Sequence, residues 1–190
     1  LDTKGPEIRT GTLRQGLINL KAGDVFTLTT REVPGDEKQV MVSYPNLPAE
    51  MSKGDCILLA DGLISLQVEE TTGTDIVCRV LNGGELGERK GINVPGVRVN
   101  LPFLSEKDRQ DIEFAIKHQL DFIAASFARS AEDILEIRRI LEENHADIDI
   151  IAKIESQEGV DNLEGIIKVV DGMMVARGDL GGENPAEEVP

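Results

Sequence analysis

The fold class is decided by residues 121–155, which read DFIAASFARSAEDILEIRRILEENHADIDIIAKIE. In this stretch, apolar runs typical of strands alternate with the apolar spacing of a helix. The apolar runs at 121–126 and 148–153 are typical of buried strands, and Ser130-Ala-Glu-Asp133 between them is a capping box that opens a helix. A strand, a helix and a second strand in this order form a βα unit of a parallel sheet. The stretch therefore predicts an α/β fold.

The same alternation continues through residues 101–190. Ser105-Glu-Lys-Asp108 opens an earlier helix, a short helix is expected over 160–167, and Gly172–Ala176 is a further strand-like run. Leu1–Pro6 is typical of the end of a preceding strand. A complete (β/α)8 barrel needs eight strands and roughly 250 residues, whereas only about four strands are available here. We therefore predict a partial (β/α)8 TIM-type barrel.

Residues 12–100 have a different pattern, with short strands rich in β-branched residues and separated by Gly-containing turns. The strand-like runs are Asp24–Thr30, Gln39–Ser43, Cys56–Ala60, Leu63–Val68 and Ile76–Leu81. Their close spacing favours a small antiparallel β-barrel or sandwich inserted into the α/β part. The predicted organisation is a barrel strand segment at 1–11, an inserted β-rich domain at 12–100, and βα units at 101–190.

Composition narrows the class of protein further. The 190 residues carry 35 acidic and 20 basic side chains, a net charge of −15. Such a charge repels phosphate backbones, so nucleic acid is not an expected partner. No apolar run approaches the roughly 18 residues of a membrane span, so no membrane partner is expected. Cys56 and Cys78 lack metal-ligand spacing, which favours a reduced, cytoplasmic setting. The start at Leu1 suggests a piece of a longer chain.

Polar residues stand at the carboxyl ends of the predicted strands. Parallel βα folds have their active sites at these ends. Lys153 and Glu155 are two residues apart, which places both on one face if the strand continues. Asp179 follows the next strand, so Glu155 and Asp179 could together hold one Mg²⁺ ion, with Lys153 offsetting charge on a transferring phosphoryl group or an enolate. Ser126 ends the earlier strand with a hydroxyl. Spacing alone, however, favours ordinary ion pairs over a metal site.

Seven segments, taken in order, resemble the pyruvate kinase family. They are Leu1–Gly11, Asp61–Ser65, Lys90–Gly96, Leu101–Asp108, Ala124–Phe127, Ile151–Glu155 and Met174–Gly181. The resemblance covers the whole chain, and the joint match is far more specific than any one motif. It implies transfer of the phosphoryl group of phosphoenolpyruvate to ADP, giving pyruvate and ATP. It also implies that residues 12–100 form an inserted small β-barrel, which is the mobile lid domain of that family.

The resemblance assigns roles in the barrel part residue by residue. Lys153 resembles the transition-state stabiliser that contacts the phosphoryl group. Glu155 and Asp179 resemble the ligands of Mg²⁺ or Mn²⁺. Gly178 and Asp179 are expected to meet the substrate carboxylate through their backbone amides, and Ser126 is expected among the substrate-binding residues.

Further assignments concern the monovalent cation and the nucleotide. Asp2 and Thr3 resemble ligands of K⁺. Arg9 resembles a nucleotide-contacting arginine, Lys90 a lid residue near ATP, and Asp61 a lid residue that faces the cleft. Family members that require K⁺ resemble this sequence in having Glu at position 7, so a K⁺ requirement is expected.

The sequence also departs from the family pattern. Ala60 stands where an acidic residue is common, and Gly182 and Asn184 replace two apolar β-branched residues, which predicts looser local packing. Earlier barrel strands, a later strand and the C-terminal regulatory domain have no counterpart here. We therefore expect the chain alone to be inactive and its parent to be a cytoplasmic homotetramer. A truncated paralogue that binds a nucleotide or a partner is the alternative, and another metal-dependent enolate enzyme suits the lid motifs less well.

Overall fold

The computed structural model describes residues 1–183, which divide into two compact units. One unit consists of residues 8–101, and the other combines residues 1–7 with the chain from residue 102 onward. The first division falls after residue 7 rather than after the expected residue 11, because Ile8 and Arg9 pair with a strand of residues 8–101.

Residues 8–101 form a closed β-barrel. The elements in chain order are β1 (Ile8–Arg9), β2 (Leu17–Leu20), β3 (Val25–Thr29), β4 (Gln39–Met41), α1 (Leu47–Glu50), β5 (Cys56–Leu59), β6 (Ile64–Thr71), β7 (Asp75–Asn82), β8 (Gly84–Gly87) and β9 (Gly91–Asn93). The main sheet has the order β1-β9-β5-β6-β7-β3-β4, and β2 pairs with β8 separately. Every neighbouring pair in the main sheet is antiparallel except the pair of β3 and β4.

Two hydrogen bonds join the outer strands of this sheet to each other. The Gly11 amide donates to the Met41 carbonyl at 2.7 Å, and the Ser43 amide donates to the Arg9 carbonyl at 2.9 Å. Because β1 and β4 lie at opposite ends of the strand order, these bonds close the sheet. The structure thus has the barrel rather than the sandwich that the sequence left open.

The interior of the β-barrel follows the alternation of its strands. Phe26 and Leu28 of β3 and Ile76 and Cys78 of β7 are fully buried, while the residues between them are more exposed. Because side chains alternate with a period of two residues, one face of each strand points into the barrel, as the sequence pattern predicts. Burial also raises the pKa of the Cys78 thiol to about 12, which leaves the thiol protonated at neutral pH.

The remaining unit contains a parallel sheet with helices. Its elements are α2 (Glu106–Lys117), β10 (Phe122–Ala125), α3 (Ala131–Glu143), β11 (Asp149–Ile154), α4 (Gln157–Asp161), α5 (Leu163–Ile167), β12 (Gly172–Val175) and α6 (Arg177–Glu183). The sheet order is β10-β11-β12, and both pairs are parallel. The helix expected over 160–167 is instead two short helices, which meet at Asn162.

The first residues of the chain extend this sheet beyond β10. The Thr3 amide donates to the Ala124 carbonyl at 2.9 Å, and the Ala124 amide donates to the Leu1 carbonyl at 2.8 Å. Residue 2 therefore occupies a parallel position beside β10. The opening segment supplies the fourth strand of the partial barrel that the sequence predicts.

Both long helices have the ends that their sequences encode. The hydroxyl of Ser105 and that of Ser130 each accept a hydrogen bond from the amide of an Asp three residues on, and each Asp carboxylate accepts one from the backbone amide of the capping serine. The two helices end in the same way, with Gln119 and His145 in the left-handed backbone region at φ values of +52° and +53°. Among residues 1–183, no helix is long and apolar enough to span a membrane.

Candidate functional site

Polar side chains cluster at the carboxyl ends of the parallel strands. Lys153 lies near the end of β11, and Glu155 follows that strand directly. Ser126 follows β10, which is the neighbour of β11, and Asp2 lies beside β10 on its other side. The parallel register therefore brings together residues that are more than 100 positions apart in the sequence.

Lys153 is the centre of this cluster. Its Nζ lies 3.0 Å from Glu155 Oε1, donates to Ser126 Oγ at 3.0 Å, and lies 3.4 Å from Asp2 Oδ1. Burial alone would lower the pKa of Lys153, but the hydrogen bond and negative charge of Glu155, with help from Asp2, outweigh it and raise that pKa. The ammonium is thus held charged and fixed in position.

Glu155 is a buried carboxylate, with only 1% of its side chain exposed. Burial raises its pKa, although the Phe127 amide, which donates to Oε2 at 2.6 Å, and the Lys153 ammonium both act to lower it. The negative charge of Asp179 raises the pKa of Glu155 further. The effect of Asp179 means that the two carboxylates lie within electrostatic reach of each other.

Asp2, Thr3 and Ser126 form a second part of the cluster. The Ser126 hydroxyl accepts from Lys153 and donates to Asp2 Oδ1 at 3.1 Å. The Thr3 hydroxyl accepts the Ser126 amide at 3.0 Å and donates to the Ala124 carbonyl at 3.4 Å. Thr3 and Ser126 are buried, whereas the Asp2 side chain is 66% exposed. The Thr3 hydroxyl therefore binds the backbone at the end of β10 at two points, and the Asp2 carboxylate faces solvent beside Lys153.

Gly178 and Asp179 lie in the first turn of α6, directly after β12. Both residues are exposed. Among residues 1–183, a Cβ added at Gly178 would meet no atom within 4 Å outside its chain neighbours and the backbone of its own helix, so packing among these residues does not require glycine there. Gly182 lies in the same helix, and Asn184, the other expected departure in this segment, lies outside the described residues.

The residues expected to contact a nucleotide lie together on the β-barrel. Arg9 is paired with Gly91, and its guanidinium donates to the Arg89 carbonyl at 2.9 Å, next to Lys90. The Gly91 carbonyl accepts the amide of Ala60, the residue before Asp61. Gly91 is therefore their common neighbour. Lys90 precedes it, Arg9 pairs with it, and Asp61 follows its hydrogen-bond partner Ala60.

The turn that carries Asp61 has an unusual backbone. Ala60, Asp61 and Gly62 have φ values of +52°, +58° and +82°, so three successive residues are left-handed. Asp tolerates this region better than Ala, because its side chain can hydrogen-bond locally. The departure at Ala60 thus places a residue with a higher conformational cost in a turn that an acidic residue would suit.

Phe127 is the part of the site that the sequence did not indicate. It follows Ser126 with a φ of +53°, in the left-handed region that costs a residue with a side chain about 1–2 kcal/mol. Its amide donates to the buried carboxylate of Glu155. A Phe after an apolar run gives no sequence signal for this conformation, because strand patterns report side-chain burial and not the φ of the residue that ends the strand.

Comparisons with known proteins identify the family. The family model described as "Pyruvate kinase, barrel domain" matches residues 1–190. The chain belongs to the pyruvate kinase family. It is 55% identical over 193 residues to the pyruvate kinase of Geobacillus stearothermophilus and 52% identical over 192 residues to that of Staphylococcus aureus strain MRSA252. Each alignment covers 100% of this chain and 33% of the relative, so the chain spans about a third of their length.

A solved structure agrees with the assignment. A crystal structure of a pyruvate kinase from Cryptosporidium parvum superposes on this chain with a TM-score of 0.91 at 47% sequence identity. The match covers 100% of this chain and 40% of the Cryptosporidium parvum chain. The predictions of the pyruvate kinase family and of a partial α/β barrel with an inserted β-barrel are confirmed. The relatives are named as kinases, in agreement with the expected class of phosphotransferase.

Proposed function

We propose that this chain supports transfer of the phosphoryl group of phosphoenolpyruvate to ADP, as part of a pyruvate kinase. The observation that carries the proposal is the Lys153 ammonium, which lies 3.0 Å from both Glu155 and Ser126 at the carboxyl end of β11. A cation fixed in this way is suited to a reaction that moves negative charge through a phosphoryl group. The family resemblance supports the same role.

The proposed reaction exchanges one phosphorus–oxygen bond for another. The bond between phosphorus and the enol oxygen of phosphoenolpyruvate breaks, and a bond forms between phosphorus and a terminal oxygen of ADP. The enolate that leaves takes a proton from water at its methylene carbon and becomes pyruvate. Lys153 would sit beside the transferring group, where its charge stabilises the transition state more than the bound substrate.

The carboxylates of Glu155 and Asp179 suit one divalent ion. No group of three or more His, Cys, Asp or Glu within residues 1–183 is arranged to hold a metal. Two carboxylates are nevertheless sufficient for Mg²⁺ or Mn²⁺ when water and substrate oxygens complete the shell. Each oxygen of Glu155 accepts one of the hydrogen bonds described above, and a carboxylate oxygen has two lone pairs, so each retains capacity for an ion. The ion would neutralise charge on phosphoryl and enolate oxygens.

Other residues are proposed to bind the remaining components. Asp2 and Thr3 would contribute to a K⁺ site, for which the exposed Asp2 carboxylate is a suitable oxygen donor. The backbone amides of Gly178 and Asp179 would meet the substrate carboxylate, a close approach that the absence of a side chain at Gly178 permits. Ser126 remains a predicted substrate contact.

The β-barrel is proposed to contact the nucleotide. Arg9 and Lys90 provide positive charge beside Gly91, and Asp61 lies in the neighbouring turn. The positive pair would attract the phosphates of ADP or ATP against the net negative charge of the chain. The expected homotetramer and cytoplasmic location of the parent remain predictions.

A chimaeric enzyme tests the proposal. In this carrier enzyme, the chain replaces the matched third of the Geobacillus stearothermophilus pyruvate kinase. Glu155→Gln and Asp179→Asn are each expected to weaken Mn²⁺ binding about 10- to 100-fold, because each removes a charged ligand. Glu164→Gln is the matched control, since Glu164 is an exposed carboxylate on α5. Equal Mn²⁺ affinity in all three variants and the unmodified carrier would contradict the metal assignment.

The 190-residue chain alone is expected to form no ATP from phosphoenolpyruvate and ADP, because its parallel sheet supplies only part of a closed barrel. Robust activity of the purified chain would overturn this expectation. A carrier enzyme that folds and binds ADP but shows no turnover would favour the alternative of a non-catalytic nucleotide-binding module.

A further inference from the structure

The segment that follows β10 donates three successive backbone amides to three different residues of the site. The Ser126 amide donates to the Thr3 hydroxyl at 3.0 Å, and the Phe127 amide to Glu155 Oε2 at 2.6 Å. The Ala128 amide donates to the Lys153 carbonyl at 3.2 Å. Three consecutive amides can point in such different directions only if the backbone leaves the regular strand conformation, and Phe127 makes that departure with its φ of +53°.

Two glycines enclose this segment from either side. A Cβ at Gly5 would lie 2.6 Å from the Ser126 carbonyl oxygen, and a Cβ at Gly159 would lie 2.7 Å from the Ala128 carbonyl oxygen. Real Cβ atoms do not approach a carbonyl so closely, so both contacts require glycine. The Ser126 carbonyl, which shares a peptide plane with the Phe127 amide, is therefore packed against backbone, and so is the Ala128 carbonyl. The peptide plane that follows Phe127 is held by the bond from the Ala128 amide to the Lys153 carbonyl.

The orientation of the Glu155 carboxylate depends on this backbone arrangement. Its carboxylate is almost completely buried, and the amide of Phe127 and the ammonium of Lys153 each meet a different oxygen. A carboxylate held at both oxygens has a fixed plane, so the lone pairs that remain point in fixed directions. If the Phe127 amide turned away, Glu155 would lose the donor that sets the orientation of Oε2.

We propose that Phe127 is a positioning residue whose left-handed backbone directs its amide to Glu155 and orients that carboxylate for a divalent cation. This inference rests on the proposed function of Glu155 as a metal ligand. The backbone conformation and the amide carry the effect, while the phenyl ring does not. Outer-shell donors of this kind typically change metal affinity by about 10- to 100-fold when they are removed.

The test compares side chains that differ in their tolerance of a positive φ. In the carrier enzyme, Phe127→Val introduces a β-branched residue, for which the left-handed region is strongly disfavoured. Phe127→Gly removes the ring and accepts the conformation freely. We expect Phe127→Val to weaken Mn²⁺ binding about 10- to 100-fold, and Phe127→Gly to stay within about threefold of the unmodified protein. Mn²⁺ affinity is measured by electron paramagnetic resonance of the free ion.

Gln119→Val provides a matched control. Gln119 has a φ of +52° in the same unit, at the end of α2, so this variant carries the same kind of backbone strain outside the site. It is expected to lower stability and to leave Mn²⁺ affinity unchanged. Equal losses of affinity in Phe127→Val and Phe127→Gly would assign the effect to the ring, and unchanged affinity in Phe127→Val would remove Phe127 from the site. Either result overturns the proposal.

A backbone substitution tests the role of the Phe127 amide if Phe127→Val does not fold. Phenyllactic acid at position 127 replaces the amide with an ester, which keeps the ring, removes the N–H donor and weakens the Ser126 carbonyl as an acceptor. A loss of Mn²⁺ affinity of about 10-fold or more supports the proposal, and unchanged affinity refutes it. Glu155→Gln separates this test from the proposed function. If Glu155→Gln leaves Mn²⁺ affinity unchanged, the metal assignment fails, whereas a loss in Glu155→Gln without one in the ester variant refutes only the role of Phe127.

Discussion

Lys153→Met is expected to destabilise the parallel-sheet unit because it leaves Glu155 buried without its cation. The Lys153 side chain is 17% exposed and that of Glu155 only 1%, so the pair is largely shielded from water. Removal of one partner from a buried ion pair costs about 3–5 kcal/mol, since the other charge remains uncompensated. The partial exposure of Lys153 and the remaining bond from Phe127 reduce this, so we expect about 2–4 kcal/mol in the free energy of unfolding.

The pH dependence of this loss has a definite sign. Burial already raises the pKa of Glu155, and removal of Lys153 takes away a group that lowers it, so the pKa rises further. A carboxyl whose pKa is higher in the folded state favours folding most below its unfolded pKa, and this contribution is lost as the pH rises through the folded pKa. The variant should therefore lose more stability at about pH 7 than at about pH 4, which is below the raised pKa and leaves Glu155 neutral.

Urea unfolding of the 190-residue chain measures the effect. The long helices α2 and α3 both belong to the parallel-sheet unit, so circular dichroism at the helical band follows that unit. The double variant Lys153→Met with Glu155→Gln is the control, and it should recover most of the lost stability because no buried charge remains. A loss below about 1 kcal/mol at neutral pH, or no recovery in the double variant, would refute the view of a buried, coupled pair.

Four further substitutions have expected outcomes. Gln119→Gly and His145→Gly should each raise the free energy of unfolding by about 0.5–1 kcal/mol, because both positions are left-handed helix ends that favour glycine, and a decrease would contradict this. Burial alone would raise the pKa of Asp171, but its bonds from the Ile150 amide and Arg138 outweigh it and lower that pKa. Its stabilisation is therefore present above the unfolded pKa and lost as the pH falls through the folded one. The cost of Asp171→Asn, about 1 kcal/mol at neutral pH, should therefore shrink as the pH falls through the folded pKa, and a constant cost would contradict the assignment. Glu7→Lys in the carrier enzyme should reduce the K⁺ requirement, since an ammonium supplies the charge of the cation, and full activity of the unmodified carrier without K⁺ would oppose this.

The parts of the fold that local chemistry determines could be predicted from the sequence. Ser105 and Ser130 each precede an Asp by three residues, and both helices begin there with the expected capping box. The particular bonds that close the β-barrel could not be predicted, because they join Arg9 and Gly11 to residues 41–43, and no local pattern encodes this pairing. Long-range pairing of this kind depends on the complete set of strands.

The candidate site likewise has contacts that could be predicted from the sequence and contacts that could not. The two-residue spacing of Lys153 and Glu155, across the end of β11, predicts side chains on the same face, and they form a direct ion pair. The approach of Asp2 and Ser126 to Lys153 depends on which strands are neighbours, and a single sequence does not show this. Phe127 gave no signal because its contribution is a backbone angle. The roles of these residues in binding and catalysis stay predictions.

The most direct test of the central claim is the steady-state turnover of phosphoenolpyruvate and ADP by the carrier enzyme with and without Lys153. The unmodified carrier should form pyruvate and ATP in equal amounts. Lys153→Met should lower kcat by at least about 10²–10³, because a preorganised electrostatic donor at the transition state is lost, while ADP binding persists. Lys153→Arg should recover little, since a planar guanidinium does not reproduce a compact ammonium. A folded Lys153→Met carrier with near-normal kcat would reduce Lys153 to a structural partner of Glu155 and contradict the account.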